Sequence, residues 1–244
     1  MGARDINIIA DYMNTADYAR SEEKFFQTLM DSQSENILFY CVTGSLARND
    51  IIPGWSDIDI ILVIKEYSLN WFADLQSAIS LSSGGLKIGT TTYSKEEFNH
   101  KFFKIPNTYI WTALIADGKY KPRVHDKTVT LPRTTPQMIR EMDIFDVSKF
   151  MHTIKREMLD LERIDEKKIY KIFINLMKIF LKSKGVITFG YRETIDAFRA
   201  SFPDSDNFLD YPEDILDNKT TLDERTKKYI AFLNWTRNKL VILA

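Results

Sequence analysis

Two kinds of apolar spacing alternate along the chain. From Ile37 to Val42 (ILFYCV), and again from Ile58 to Ile64 (IDIILVI), apolar residues crowd into short runs rich in β-branched and aromatic side chains. Polar or glycine-containing segments bound both runs, which predicts buried strands rather than helices. Leu86 to Tyr93 (LKIGTTTY) predicts a third strand. Helices are expected at Glu22 to Met30 and at Asn70 to Leu81, the second broken by Ser-Ser-Gly-Gly. The order helix, strand, strand, helix, strand describes a mixed sheet with helices against it.

Beyond LPRTTP, residues 131–136, the spacing becomes helical. Val147, Phe150, Met151, Ile154, Met158 and Leu161 fall on one helical face, and Ile169, Phe173, Leu176, Met177 and Phe180 repeat the pattern up to Gly185. A further helix is expected from about Tyr191 to Ala200. The last follows Thr221, whose spacing to Glu224 fits a capping box, and should turn Tyr229, Ile230, Leu233 and Leu240 inward. The expected fold class is therefore α+β. A mixed β-sheet domain flanked by helices takes residues 1–134, and an all-α helical bundle takes 135–244.

Composition narrows the function by exclusion. With 33 basic against 34 acidic residues, nothing in the balance points to a nucleic-acid or membrane-surface binder. A single cysteine, Cys41, rules out an intrachain disulfide and a cysteine-rich zinc site. No apolar run has the length of a spanning helix, and the first residues lack the apolar block of a secretory signal, so a cytoplasmic location is expected. His100, His125 and His152 are dispersed, and no Walker loop, Rossmann fingerprint or nucleophile elbow is present.

The candidate chemistry lies in GSLARNDIIPGWSDIDIILV, residues 44–63. Residues two apart on a strand share a face, so Asp57 and Asp59 are expected to project together at the mouth of the second strand. Two carboxylates that close repel unless a cation neutralises them, and magnesium is held by one or two carboxylates plus nucleotide phosphates. Alone, the pair reads as ordinary loop solvation. Upstream, however, Gly44-Ser45 directly follows a buried strand, where glycine lets backbone amides approach an anion and a serine hydroxyl donates to a phosphate oxygen. A phosphate-binding turn and a metal-binding pair on consecutive strands describe a site for a nucleoside triphosphate with magnesium.

Gly44-Ser45, eleven intervening residues, then Asp57-x-Asp59 and an apolar strand resembles the signature of the polymerase-β-like nucleotidyltransferase superfamily. Ala47-Arg48 and Trp55-Ser56-Asp57 are similar to the small-molecule branch, which includes the aminoglycoside, lincosamide and minimal nucleotidyltransferases. The resemblance implies a nucleotidyltransferase-type sheet followed by a substrate-binding bundle, with both substrates between the two. It implies attack by a hydroxyl of a small acceptor, such as an aminoglycoside-like antibiotic, on the α-phosphate of ATP. Gly44 and Ser45 would hold the β,γ-phosphates, and Asp57 and Asp59 two magnesium ions. Members of this branch occur as monomers and as dimers, and neither a membrane nor a nucleic-acid partner is expected.

The resemblance also implies a third carboxylate on a later strand, but the corresponding slot falls at Lys87 or Gly89. Three alternatives stay open: a base from the second domain (Glu141, Asp143, Asp146 or Glu157); Glu96 or Glu97 under a shifted register; or nucleotide binding with weak or lost transfer, as in a regulatory protein. Arg48 has two candidate partners, Asp50 and the phosphates. Lys178, ahead of Lys182 and Lys184 on the central helix, is the candidate phosphate cation of the second domain. Lys87 reads first as an edge-strand lysine in solvent. Trp55, Tyr109 and Trp111 are candidates for a cleft wall, against the ordinary reading of aromatics as packing.

Overall fold

A computed structural model of the chain describes residues 14–100, 114–115, 118–131, 135–159, 165–205, 208–217 and 219–242. The chain divides into two compact units, Met1–Thr135 and Pro136–Ala244.

Among the described residues, the first helix of unit 1 is α1, Thr15–Gln33. Asn14 and Asp17 cap it reciprocally: the Asn14 carboxamide oxygen accepts from the Ala16 amide at 2.9 Å, and the Asn14 amide donates to Asp17 at 2.7 Å. Tyr18, Glu22, Phe25 and Leu29 form its buried stripe. Strand β1, Ile37–Thr43, leads into a one-turn helix α2, Gly44–Arg48, a segment that the sequence had presented as loop. Strand β2, Ile58–Ile64, runs antiparallel to β1. Helix α3, Leu69–Ser82, is capped by Ser68 and supplies the crossover that parallel strands require before β3, Ile88–Ser94, pairs with β2. The short helix α4, Lys95–Asn99, follows. A two-residue strand β4, Val124–His125, pairs with β1 and completes the order β3-β2-β1-β4 among the described residues.

Alternation on β2 decides what each face holds. Ile58, Ile60, Leu62 and Ile64 join Tyr18, Phe25 and Leu29 of α1 and Trp71, Leu75 and Ala78 of α3 in one core. Each buried Ile, Leu or Phe among them contributes roughly 1.5–3 kcal/mol. The odd-numbered residues of β2, Asp59 among them, therefore lie on the other face.

Glu22 enters the first core as a carboxylate, and Arg123 makes that possible. Arg123 Nη1 donates to both Glu22 oxygens at 3.1 and 3.0 Å, Tyr40 donates its hydroxyl at 2.7 Å, and the guanidinium lies 3.5 Å over the Phe26 ring. Removing the cation leaves a buried charge without its counter-ion. Arg123→Ala is expected to lower the stability of unit 1 by about 2 kcal/mol, measured by urea unfolding. An unchanged midpoint would show that Glu22 does not need this pair.

Unit 2 is helical: α5 Pro136–Glu157, α6 Glu166–Ser183, α7 Tyr191–Ser201, α8 Pro212–Leu216 and α9 Leu222–Lys239. Ten residues of α6 are buried, which makes it the central helix, and it stops where Gly185 takes a φ of +77°. There the Val186 amide returns to the Leu181 carbonyl at 2.9 Å, satisfying an end-of-helix acceptor. The expected capping box forms at Thr221 and Glu224.

The inward face of α9 meets the expectation at Tyr229 and departs from it at other positions. Ile230 and Leu240 are 46% and 39% exposed, while Tyr229, Phe232 and Trp235 are buried. Aromatic packing sets the phase: Phe232 lies 4.7 Å from Phe173 and 5.8 Å from Phe198 between ring centroids, and Trp235 packs on Phe180 at 5.1 Å. Helix α5 also ends at Glu157, before Met158, and Leu161 lies outside the described residues. No helix among the described residues is long and apolar enough to cross a membrane.

Candidate functional site

The site begins where β1 ends. Thr43 pairs with Asp59 across the antiparallel ladder, and its hydroxyl donates to the Asp59 carbonyl at 3.3 Å. The next residue, Gly44, takes a φ of +68° to turn the chain into α2. A Cβ there would stand 2.3 Å from Asp59 Oδ2 and 3.2 Å from its Cγ. Glycine is thus required twice, by the left-handed backbone and by the carboxylate lying against it. Ser45 is buried in the first turn of α2, and its carbonyl accepts the Asp50 amide at 3.0 Å.

The loop between α2 and β2 is pinned rather than loose. Ser56 accepts the Ile52 amide at 2.9 Å through its hydroxyl, and the Gly54 amide donates to the Tyr18 hydroxyl at 3.2 Å. Trp55, a candidate cleft wall, is only 3% exposed and is part of the packing that holds this loop. Tyr109 and Trp111 lie outside the described residues. Burial pushes the Tyr18 hydroxyl above its ordinary pKa, and the Asp57 carboxylate adds to that rise against the Gly54 amide.

Asp57 is delivered at the end of this loop, and Asp59 follows one residue into β2. Parallel pairing sets Ile58 beside Ile88 and Asp59 beside Gly89. A Cβ on Gly89 would lie 3.7 Å from Asp59 Oδ1, so Gly44 and Gly89 flank the Asp59 carboxylate. Lys87 Nζ stands 3.8 Å from Asp57 Oδ2. Lys87 is exposed, as expected of an edge-strand lysine, yet it also reaches an aspartate. The two carboxylates, the glycine turn and Lys87 occupy one end of the sheet.

Gly89 faces Asp59, and β3 (IGTTTYS) contains no acid. Glu96 and Glu97 do not reach the site by a register shift. They follow Ser94, which pairs with Ile64 at the opposite end of β2, five residues or about 17 Å from Gly89. Glu97 caps α4 through Ser94 and accepts the Tyr67 hydroxyl at 2.6 Å. Among the described residues no group of three or more His, Cys, Asp or Glu side chains could hold a metal.

Within unit 2 three of the candidate acids have local partners. Asp143 pairs with Lys182 and Glu157 with Lys168, while Glu141 accepts from Gln137 at 2.9 Å. Asp146 is buried, which raises its pKa above the usual carboxylate value. Lys178 donates to the Phe189 carbonyl at 2.7 Å, and Lys184 lies 4.9 Å over the Phe202 ring. In unit 1, Arg48 grips Asp50, one of its two candidate partners, with two hydrogen bonds at 3.0 and 3.1 Å.

Sequence reasoning missed Thr43 as part of the cradle around Asp59, and named Gly89 only as a position for the absent third acid. Strand register alone would have revealed them, because both adjoin Asp59 through pairing and not through spacing.

Magnesium suits this donor set. Magnesium is usually held by one or two carboxylates together with phosphates and waters, and this sheet end supplies two carboxylates.

The four-stranded mixed sheet flanked by helices, followed by a helical unit, is a nucleotidyltransferase fold. It is shared with spectinomycin adenyltransferase AAD(9) from Enterococcus faecialis, whose crystal structure with ATP and spectinomycin superposes at a TM-score of 0.53. The match covers 91% of this chain and 98% of that one at 14% sequence identity, a likeness of fold. No family model and no curated protein sequence matches the chain.

Proposed function

We propose that the chain is a magnesium-dependent nucleotidyltransferase that moves AMP from ATP to a hydroxyl of a small molecule, such as an aminoglycoside-like antibiotic. The observation that carries this reading is the seating of the Asp59 carboxylate against Gly44, which unites a phosphate-type turn with a carboxylate pair at one sheet end. The shared fold with an adenyltransferase solved with ATP and spectinomycin adds support.

In this reading the amides and hydroxyl of Gly44-Ser45 bind the β,γ-phosphates. Asp57 and Asp59 would hold magnesium, which when bound neutralises charge on the phosphoryl oxygens. The residues mainly position: Thr43 and the pinned 51–57 loop fix the two aspartates, and the buried seat of Ser45 fixes the turn. The acceptor hydroxyl must also lose a proton, and β3 offers no acid beside Asp59 to take it.

That gap favours one alternative, a nucleotide-binding regulatory protein with weak or lost transfer. Calorimetric titration of ATP with and without magnesium, followed by pyrophosphate release across hydroxylated antibiotics including spectinomycin, separates the two. Magnesium-dependent binding with release for at least one acceptor is the expected result. Binding without release from any acceptor selects the regulatory reading, and absence of magnesium-dependent binding sinks both.

A further inference from the structure

A cavity of about 600 Å³ opens in unit 2 between α5 and the end of α9. That volume falls in the range of small-molecule sites, roughly 300–1,000 Å³. Its apolar wall is Ile144, Val147 and Met151 of α5 with Leu240, which follows α9. Val147 is 4% exposed, whereas Ile144 is 48% and Leu240 39% exposed, so the wall runs from the core of the unit to solvent. Close packing leaves few voids larger than a water molecule inside a domain, and an open apolar hollow of this size has the form of a ligand site.

The rest of the lining is basic and polar. His152 and Lys155 of α5 and Arg237 of α9 border the cavity together with Ser148, and no carboxylate lines it among the described residues. Three other cations of unit 2 are matched: Lys182 pairs with Asp143, Arg225 with Glu166, and Lys239, two residues after Arg237, with Asp204. Among the described residues Lys155 and Arg237 make no such pair. Cations in the last turn of a helix ordinarily complement its dipole, and both lie in such turns. The dipole does not require cations of two helices to border one apolar hollow.

We propose that this cavity binds a soluble small molecule with an anionic head and an apolar body, such as a medium-chain carboxylate. Lys155 and Arg237 give the head charge-assisted hydrogen bonds, with the Ser148 hydroxyl as a further donor. The body lies along Ile144, Val147, Met151 and Leu240 and displaces water from them. The site shares no residue with the sheet end that carries Asp57 and Asp59, and it stands whether or not that end binds a nucleotide.

Calorimetric titration of the full chain with decanoate, kept below the concentration at which it forms micelles, tests this. The wild type is expected to bind one decanoate per chain, and to bind decyltrimethylammonium, of equal chain length and opposite charge, roughly tenfold or more weakly. Lys155→Gln combined with Arg237→Gln changes two exposed side chains, so it should weaken decanoate on the order of tenfold with the unfolding midpoint of the wild type. Ile144→Gln should weaken it by about threefold through the lost apolar contact. No decanoate binding to the wild type, equal binding of the cationic amphiphile, or a folded double variant that binds decanoate as tightly as the wild type overturns the proposal. A concentration-dependent dimer that takes up no decanoate also overturns it, because a second copy of the chain would then be the occupant.

Discussion

Gly44→Ala is expected to remove magnesium-dependent ATP binding, weakening it on the order of a hundredfold or more, the scale of misplacing a catalytic group by about 1 Å. Two penalties coincide at this position. A left-handed φ of +68° is costly for alanine, and the new methyl would lie 2.3 Å from Asp59 Oδ2 and 3.3 Å from its Cβ. Because the contact reaches the base of the side chain, a rotation of the carboxylate alone cannot clear it; Asp59, the turn, or both must move. The strain should also lower unfolding stability by about 1–3 kcal/mol.

Two companion variants isolate the cause. Asp59→Asn keeps the shape, so it should lose the magnesium dependence of binding while melting like the wild type. Gly89→Ala, where the methyl meets only ordinary contacts, should bind ATP nearly as well as the wild type. Calorimetry and denaturant unfolding on all three decide the matter. Retention of tight, magnesium-dependent binding by Gly44→Ala would show that the turn does not hold the nucleotide's phosphates as proposed.

What the sequence revealed of this site follows from the range of the signals it contains. Strand runs such as ILFYCV and IDIILVI are local, and β1 and β2 fall where their composition places them. The expected shared face of Asp57 and Asp59 is an equally local reading, drawn from alternation alone, while β2 itself begins at Ile58, after Asp57. Helix α2 escaped because one turn is too short to show a period, and α8, another single turn, escaped for the same reason. Strand β4 is two residues long and exists only through its pairing with Phe39 and Tyr40. The cradle formed by Gly44 and Gly89, the reach of Lys87 and the exclusion of Glu96 and Glu97 all depend on register between strands. Thirty residues separate Asp59 from Gly89 in the chain, and no spacing rule reaches that far.

The buried face of α9 keeps the expected Tyr229 but not Ile230, and this leads to the second large effect, because it identifies which residue closes the core of unit 2. Ile230 and Leu233 are as apolar as their neighbours, so periodicity alone does not choose among adjacent stripes; the aromatic partners do. Phe232 is fully buried, with ring centroids at 4.7 Å from Phe173, 5.8 Å from Phe198, 5.5 Å from Phe208 and 5.8 Å from Trp235. Phe232→Ala removes the shared member of this cluster and leaves a cavity walled by rigid rings, which relax less than aliphatic chains, so a cost of about 3–5 kcal/mol is expected. That is a large share of the roughly 5–15 kcal/mol that holds a domain folded. The amides of α6 and α9 should then exchange with solvent on the order of a thousandfold faster in peptides covering 166–183 and 222–239. Ile230→Ala, on the exposed side of the same helix, should change those rates less than about tenfold. If the two variants exchanged alike, the buried face of α9 would not be the one these rings define.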